Sequence, residues 1–208
     1  RGSTFTAAGI RVETPLRGIF NVENVLGAVA AGLLLDVEDD AIAEGIRSVT
    51  GVPGRFEAID EGQPFAVIVD YAHTPDALET VLQAARDLGD GRLIVVFGAG
   101  GDRDREKRRL MGQVAQQRAD VVVVTSDNPR SEDPLAIIEE IVQGTGTAVE
   151  IDPDRASAIA LAIGRAEAGD VVVIAGKGHE QGQDVGGVVT PFDDREVART
   201  VLRGRGAA

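Results

Sequence analysis

Charged and amide side chains crowd into four short stretches: DYAHTP at 70–75, GAGGDRDREKR at 98–108, TSDNPR at 125–130 and GKGHEQGQ at 176–183. Groups of both signs at this density suit a zwitterionic small molecule, or the ribose and phosphates of a nucleotide. The third stretch poses the sharpest question. TSDNPRSEDP, residues 125–134, follows four consecutive valines, Val121 to Val124, and packs two prolines, an arginine and three acids into ten positions. Each stretch also has a plainer reading when taken singly. GAGG is a tight turn into a helix whose first N–H groups attract anions. Asp102 and Asp104 fit as caps of that helix. His73 and His179 read as satisfied loop histidines, and Lys107, Arg108 and Arg109 must include a solvated face, since three adjacent side chains cannot all enter one pocket.

The elements around these stretches give them a common location. From Phe65 onward, apolar runs alternate with helix-length segments: FAVIVD (65–70), RLIVVFG (92–98), VVVVTS (121–126), a weaker TAVEID (147–152) and VVVIAG (171–176). Strand, helix, strand repeated four times predicts an α/β fold, a Rossmann-like, mostly parallel sheet with helices on both faces. Unbroken valine runs agree, because strands buried on both sides do not alternate in polarity. Each of the four charged stretches follows such a strand, and open parallel sheets bind ligands beyond the carboxyl ends of their strands. Polar loops are common in themselves. Four at one edge predict a site.

Residues 1–50 have another character. NVENVLGAVAAGLLLDV predicts a helix opening at Asn21, and EDDAIAEGIRSV a second with Asp36 or Glu38 near its start. GVPGR, 51–55, holds two glycines and a proline and is the expected boundary, dividing the chain into 1–52 and 53–208. The tail GRGAA, 204–208, is expected to fray. At 208 residues and 43% hydrophobic, the chain is long enough for one substantial core, or for one domain with part of another. Aromatics are only 3%, so that core must be aliphatic.

Composition also excludes classes of partner. A formal net charge of −13 opposes attraction to nucleic acid or anionic lipid. No apolar run reaches the roughly 18 residues of a membrane-crossing helix, so no membrane insertion is expected. Without cysteine there is neither a disulfide framework nor thiolate chemistry, which agrees with a cytoplasmic protein. GxxxxGK[ST], HExxH and GxSxG are all absent, and Gly98-x-Gly100 fails the dinucleotide fingerprint because Arg103 stands where a glycine or alanine should. No metal ligands are expected on this chain.

Five segments in order, GRFEAID, VDYAHTPDALE, VFGAGGDRDREKRRLMG, TSDNPRSEDP and AGKGHEQGQ, resemble the C-terminal part of the Mur ligases, in their diaminopimelate-adding branch. GIFNVENVLGAVAA resembles the helical end of that family's central, P-loop-type ATPase domain. The resemblance implies an ATP- and Mg²⁺-dependent amide ligase of peptidoglycan synthesis that joins meso-diaminopimelate to a UDP-MurNAc-dipeptide through an acyl phosphate. It also implies that the phosphate-binding loop, the Mg²⁺ ligands and the UDP-sugar domain lie outside this chain. The chain, which begins at Arg1, therefore reads as a fragment that is inactive alone. By the same resemblance, Asn21, Asn24, Arg55, Asp70 and His73 meet the nucleotide, with Arg55 and Asp70 catalytic: Asp70 holds ribose hydroxyls and Arg55 the phosphates. Arg103, Asp127, Asn128, Pro129, Arg130, Gly176 and Glu180 hold diaminopimelate.

That assignment gives the charged loop a purpose. Diaminopimelate differs from lysine by a carboxylate on the far carbon, so a selective site needs a fixed cation at that distance. Arg130 offers a planar fork, Asn128 a donor and an acceptor, and Asp127 or Glu180 can face an ammonium. Pro129 biases Asn128 toward extended geometry and limits the entropy lost on binding. A lysine-adding ligase and a folylpolyglutamate synthetase share the fold; Arg130 argues against the first and GKGHE against the second. A standalone nucleotide- or amino-acid-binding module is the alternative of another class.

Overall fold

The computed structural model describes residues 2–146 and 149–206. The chain divides into two compact units, Arg1–Val52 and Pro53–Ala208.

In the first unit a hairpin of β1 (Ser3–Ala7) and β2 (Ile10–Thr14) precedes two helices, α1 (Ile19–Leu34) and α2 (Asp39–Ser48). Ala8 and Gly9, at φ 49° and 88°, supply the two left-handed centres that a tight two-residue turn needs. Ile10 and Val12 then point to one face, where they pack with Val25 and Val29 of α1 and Ile42 and Ile46 of α2. The hairpin was not among the expected elements, because five-residue strands with a mixed composition carry little pattern. Helix α1 also opens earlier than expected. Gly18 is its cap, and Asn21 lies within the first turn, its backbone N–H donating to Gly18 O at 3.0 Å. In α2 the cap is Glu38, without a side-chain bond; Asp39 and Asp40 in the first turn and Arg47 in the last match the helix dipole.

The second unit is built on a six-stranded sheet of β3 (Glu57–Ala58), β4 (Ala66–Asp70), β5 (Leu93–Phe97), β6 (Val121–Val124), β7 (Glu150–Ile151) and β8 (Val171–Ala175). Their order across the sheet is β3-β4-β8-β5-β6-β7, and only β3 runs antiparallel to its neighbour. Strand β8, last of the six in sequence, therefore lies between β4 and β5. Side chains alternate across the pleat. Val67, Val69, Ile94, Val96, Val172 and Ile174 pack on one face against α6 (Arg155–Arg165) and α7 (Asp194–Gly206). The opposite face carries α3 (Pro75–Arg86), α4 (Glu106–Arg118) and α5 (Pro134–Val142). Each fully buried aliphatic side chain contributes about 1.5–3 kcal/mol, so this double-sided core dominates the unit's stability.

Helix caps fix where each loop ends. Thr74 Oγ1 accepts from Ala77 N at 3.3 Å, Asp133 Oδ1 from Leu135 N at 2.9 Å and Asp154 Oδ1 from Ser157 N at 2.9 Å. Pro75 and Pro134 stand at the first helical positions, where a missing N–H costs nothing. A second hairpin, β9 (Gly182–Val185) with β10 (Val188–Pro191), turns at Gly186 and Gly187, both at positive φ.

Two further expectations change. The strand expected over 147–152 narrows to β7, and Thr147 and Ala148 lie outside the described residues. The tail expected to fray continues α7 through Gly206, with Arg205 donating to the carbonyls of Ile163 and Ala166; Ala207 and Ala208 lie outside the described residues. Strand β3, the β9–β10 hairpin and α7 were not expected at all.

Candidate functional site

The carboxyl ends of β4, β8, β5 and β6 are consecutive across the sheet, so the stretches 70–75, 176–183, 98–108 and 125–130 form one row. Glycines let them approach. A side chain at Gly101 would fall inside the Pro129 carbonyl, and one at Gly98 would strike the backbone from Thr125 to Asp127. The GAGG segment is therefore the seat of the 125–130 loop. Gly176, at φ 122°, would place a Cβ 2.5 Å from Asp127 Oδ2, so only glycine lets that carboxylate lie against the end of β8. Gly54 backs onto Gly178 and His179 in the same way.

Beside this floor opens a cleft of about 460 Å³ lined by Asn128, Arg130, His179, Glu180, Asp184 and Val189 among others. Arg130 has φ 51° and donates from Nη1 to Gly101 O at 2.6 Å. Its backbone is strapped to the hairpin: Arg130 N donates to Asp184 O at 3.0 Å, and Gly186 N to Arg130 O at 2.7 Å. Gln183 Nε2 adds a bond to Asp127 O at 2.9 Å. Asn128 Nδ2 donates to Glu180 Oε2 at 2.9 Å. Arg103 is exposed, its Nη1 donating to Asp102 O at 3.2 Å, and it shares with Arg130 the space over Gly100. Asp127, Asn128, Pro129, Arg130, Gly176 and Glu180 are thus brought together, with Arg103 near Arg130 over Gly100 but outside the cleft lining.

The other end of the row is built on Tyr71. The Arg55 guanidinium lies 4.6 Å from the centre of its ring, and the rings of His73 and His179 flank it at 4.7 and 5.5 Å. Asp70 accepts from Phe56 N and Ala72 N, both at 2.7 Å. Burial pushes its carboxyl upward, against those two bonds and the charge of Arg55. Asp70 therefore acts first on the protein, fixing the 54–56 turn. Lys107 Nζ donates to His73 O at 2.9 Å, and burial lowers its pKa. Asn21 and Asn24 belong to the first unit, where Asn21 Nδ2 donates to Arg17 O at 2.7 Å and Asn24 Nδ2 to Asn21 Oδ1 at 3.3 Å.

Buried arginines brace the row from behind. Arg108 is fully buried, donating to Glu132 at 2.7 and 2.9 Å and to Glu140 at 2.9 Å. Asp102 caps no helix: its carboxylate accepts from Ser131 Oγ at 2.7 Å and Ser131 N at 3.2 Å. Asp104 Oδ1 accepts from Glu106 N at 2.9 Å. Arg155 and Asp194, both fully buried, form a two-bond pair at 2.7 Å each, and Arg155 also donates to Ser126 O and Ala175 O at 3.2 and 3.0 Å. Sequence reasoning missed Tyr71, Lys177, Arg155 and the hairpin; for Arg155 and Lys177 nothing in a charged residue at a helix start or between glycines signals burial.

The Arg108 bond, with that from Asp102 N, holds the Glu132 carboxyl at about 2, below its ordinary 4.5. A carboxyl lowered in the folded state stabilises the fold above its unfolded value, and that contribution fades as pH falls through the folded value. In Glu132→Gln the denaturation midpoint should consequently fall less steeply than in wild type from about pH 5 to about pH 2. Parallel midpoint curves would remove Glu132 from this role.

The family profile described as "Mur ligase, glutamate ligase domain" matches residues 54–178. A protein of Streptomyces coelicolor named UDP-N-acetylmuramoyl-L-alanyl-D-glutamate--2,6-diaminopimelate ligase is 51% identical over 213 residues, covering 97% of this chain and 42% of that protein. A ligase of the same name from Geobacillus thermodenitrificans is 54% identical over 198 residues, covering 93% and 40%. A solved structure of a ligase of that name superposes with a TM-score of 0.73 at 40% identity, over 99% of this chain and 43% of that one. Mycobacterium tuberculosis folylpolyglutamate synthase, solved with ADP and AMPPCP, shares the fold at a TM-score of 0.64 and 23% identity, covering 84% of this chain and 44% of that one. The chain spans about two-fifths of the length of the curated relatives it matches.

Proposed function

Because this chain belongs to the Mur ligase family, we propose that it supplies the amino-acid-recognising part of an ATP-dependent ligase that joins meso-diaminopimelate to UDP-N-acetylmuramoyl-L-alanyl-D-glutamate. In this reading residues 1–52 are the end of the central ATPase domain, and 53–208 the C-terminal domain that meets both amino acid and nucleotide. The observation that carries it is the convergence of Arg130, Asn128 and Glu180 on one cleft, a cation, an amide and an anion set against a zwitterion.

The chemistry is acyl activation followed by aminolysis. ATP converts the acceptor's carboxylate to an acyl phosphate, the diaminopimelate amine attacks it, and the tetrahedral intermediate expels phosphate. This chain's share is positioning. Arg130 takes the distal carboxylate on the guanidinium edge not used by Gly101, with Arg103 as a second cation over Gly100. Glu180 faces an ammonium, Pro129 holds the loop extended, and Asp127 and Gly176 form the floor. Arg55 balances charge on the nucleotide's phosphates, while Asp70 and His73 place the nucleotide, Asp70 through the 54–56 turn and the ribose hydroxyls. Among the described residues no group of three or more His, Asp or Glu side chains is placed to hold a metal ion. In this reading the Mg²⁺ ligands belong to the rest of the ligase. No helix of the described residues is long and apolar enough to cross a membrane, and the proposed setting is the cytoplasm.

Calorimetric titration of the 208-residue chain with meso-diaminopimelate, lysine and glutamate tests the reading. Diaminopimelate should bind most tightly. Equal binding of all three, or a preference for glutamate as in the folate branch, would overturn it.

A further inference from the structure

Behind the cleft lies a cation that no substrate contact accounts for. Lys177 is fully buried, and an ammonium out of water persists only with partners. It has two: Nζ donates to Asn128 Oδ1 at 2.8 Å and to Glu180 Oε2 at 3.2 Å. Asn128 Nδ2 donates to that same Oε2 at 2.9 Å, closing a ring of three side chains. Asp184 N donates to Asn128 Oδ1 at 3.1 Å as well, so the amide oxygen has both acceptor positions filled and the group cannot turn over. Glu180 Oε2 is likewise occupied twice. Glu180 Oε1 takes no hydrogen bond from the described residues.

We propose that Lys177 is a positioning residue for amino-acid recognition: it locks Asn128 and Glu180 together so that one ionised oxygen, Glu180 Oε1, is presented to an ammonium of the substrate. The proposal rests on the reading of the cleft as the diaminopimelate site. Lysine 177 touches no substrate in this arrangement; its effect passes through its two partners.

Several charged groups surround Glu180. Lys177 shares its loop, Arg130 faces it from the loop after β6, and Arg155 acts on it from the start of α6. Asp184 of the hairpin and His179 line the same cleft, and Asp127 lies in the floor. Burial works to raise the Glu180 carboxyl, but the bond from Asn128 and the charge of Lys177 bring it below its ordinary range. Without the Lys177 charge the balance shifts toward burial and the carboxyl moves upward. A carboxyl that protonates in the working range no longer attracts an ammonium, so binding acquires an acid limb.

The experiment uses the 208-residue chain in three forms, wild type, Lys177→Met and Lys177→Arg. Methionine keeps an unbranched side chain and drops the charge; arginine keeps the charge. Two measurements are made: titration of Glu180 by carboxyl-detected NMR without ligand, and calorimetric affinity for meso-diaminopimelate from about pH 5 to about pH 8. Lys177→Met should weaken binding about tenfold or more near neutral pH, as loss of a charge-assisted contact does, with the loss growing toward acid and the Glu180 titration moving up. Lys177→Arg should keep the wild-type pH profile at reduced affinity. An unchanged pH profile and Glu180 titration in Lys177→Met would overturn the proposal. If that variant does not fold, wild-type Glu180 decides, and titration at or above 4.5 overturns it. Absence of diaminopimelate binding by wild type with a low Glu180 titration would instead sink the reading of the cleft, and the recognition role with it, while leaving the lock between the three side chains standing.

Discussion

Replacing Arg130 by alanine is expected to cut the preference for diaminopimelate over lysine by one to two powers of ten. A charge-assisted hydrogen bond is worth about 1.5–3 kcal/mol, and every 1.4 kcal/mol is about tenfold. Lysine lacks the distal carboxylate, so its binding loses little. The loop itself should stay in place, because other groups hold it. Glu132 pairs with Arg108, Asp133 caps α5, and the backbone of residue 130 is strapped to Asp184 and Gly186. An anchoring role for Arg130 through Glu132 or Asp133 is therefore not what the side chain does. Its one side-chain hydrogen bond among the described residues is to Gly101 O, and if that bond were its purpose, both amino acids would suffer alike. Arg130→Lys restores charge without the fork and should recover only part of the preference. Both variants keep a side chain at φ 51°, so backbone strain is common to the comparison. The deciding quantity is the ratio of the two dissociation constants; an unchanged ratio removes Arg130 from recognition.

Arg155→Met should cost about 3–5 kcal/mol of folding free energy in chemical denaturation, the range for breaking a buried pair from one side. The cost arises from what is left behind. Asp194 would remain fully buried with no cation, and the carbonyls of Ser126 and Ala175 would lose a donor. The Ala175 carbonyl ends β8 and the Ser126 carbonyl lies in the loop just after β6, and these loops form the cleft floor, so diaminopimelate binding should weaken along with stability. Replacing both partners, as Arg155→Met with Asp194→Leu, should recover a large part of the loss, since two apolar groups leave no bare charge. A double variant no more stable than the single one would show that the carbonyl contacts matter more than the pair. A single-variant cost below about 1 kcal/mol would show the pair to be dispensable.

The central strands were legible because burial on both faces leaves an unmistakable valine run, and the helices because their apolar positions repeat on one face. Strand β3 has two residues and no period to read. Every residue of β10 is exposed, so no hydrophobic alternation marks it. Helix α7 reads as a polar run with only Ala198 and Leu202 as buried apolar anchors. At the site, the residues of TSDNPR could be grouped from their place after a strand. The roles of the glycines could not, because a glycine that seats a neighbouring carbonyl has the same letter as one that makes a turn. Nor could the arginines be sorted, since Arg103 outside the cleft lining, Arg108 in the brace and Arg130 in the cleft differ only in what surrounds them after folding.

The position of β8 between β4 and β5 also sets an order of events during synthesis. Strands β5 and β6 can pair as soon as both have left the ribosome, but β4 has only the two residues of β3 beside it until Val171–Ala175 emerges. Closing that gap joins segments far apart in the chain, a slow kind of contact to form. Until then the open edges of β4 and β5 present unpaired amides and carbonyls to any passing strand. A nascent chain halted before residue 171 would thus hold the recognition residues from Arg103 to Arg130 on the paired β5 and β6, yet lack Gly176, Glu180 and the strand that joins this half of the sheet to β4, and would depend on chaperones for as long as it waited.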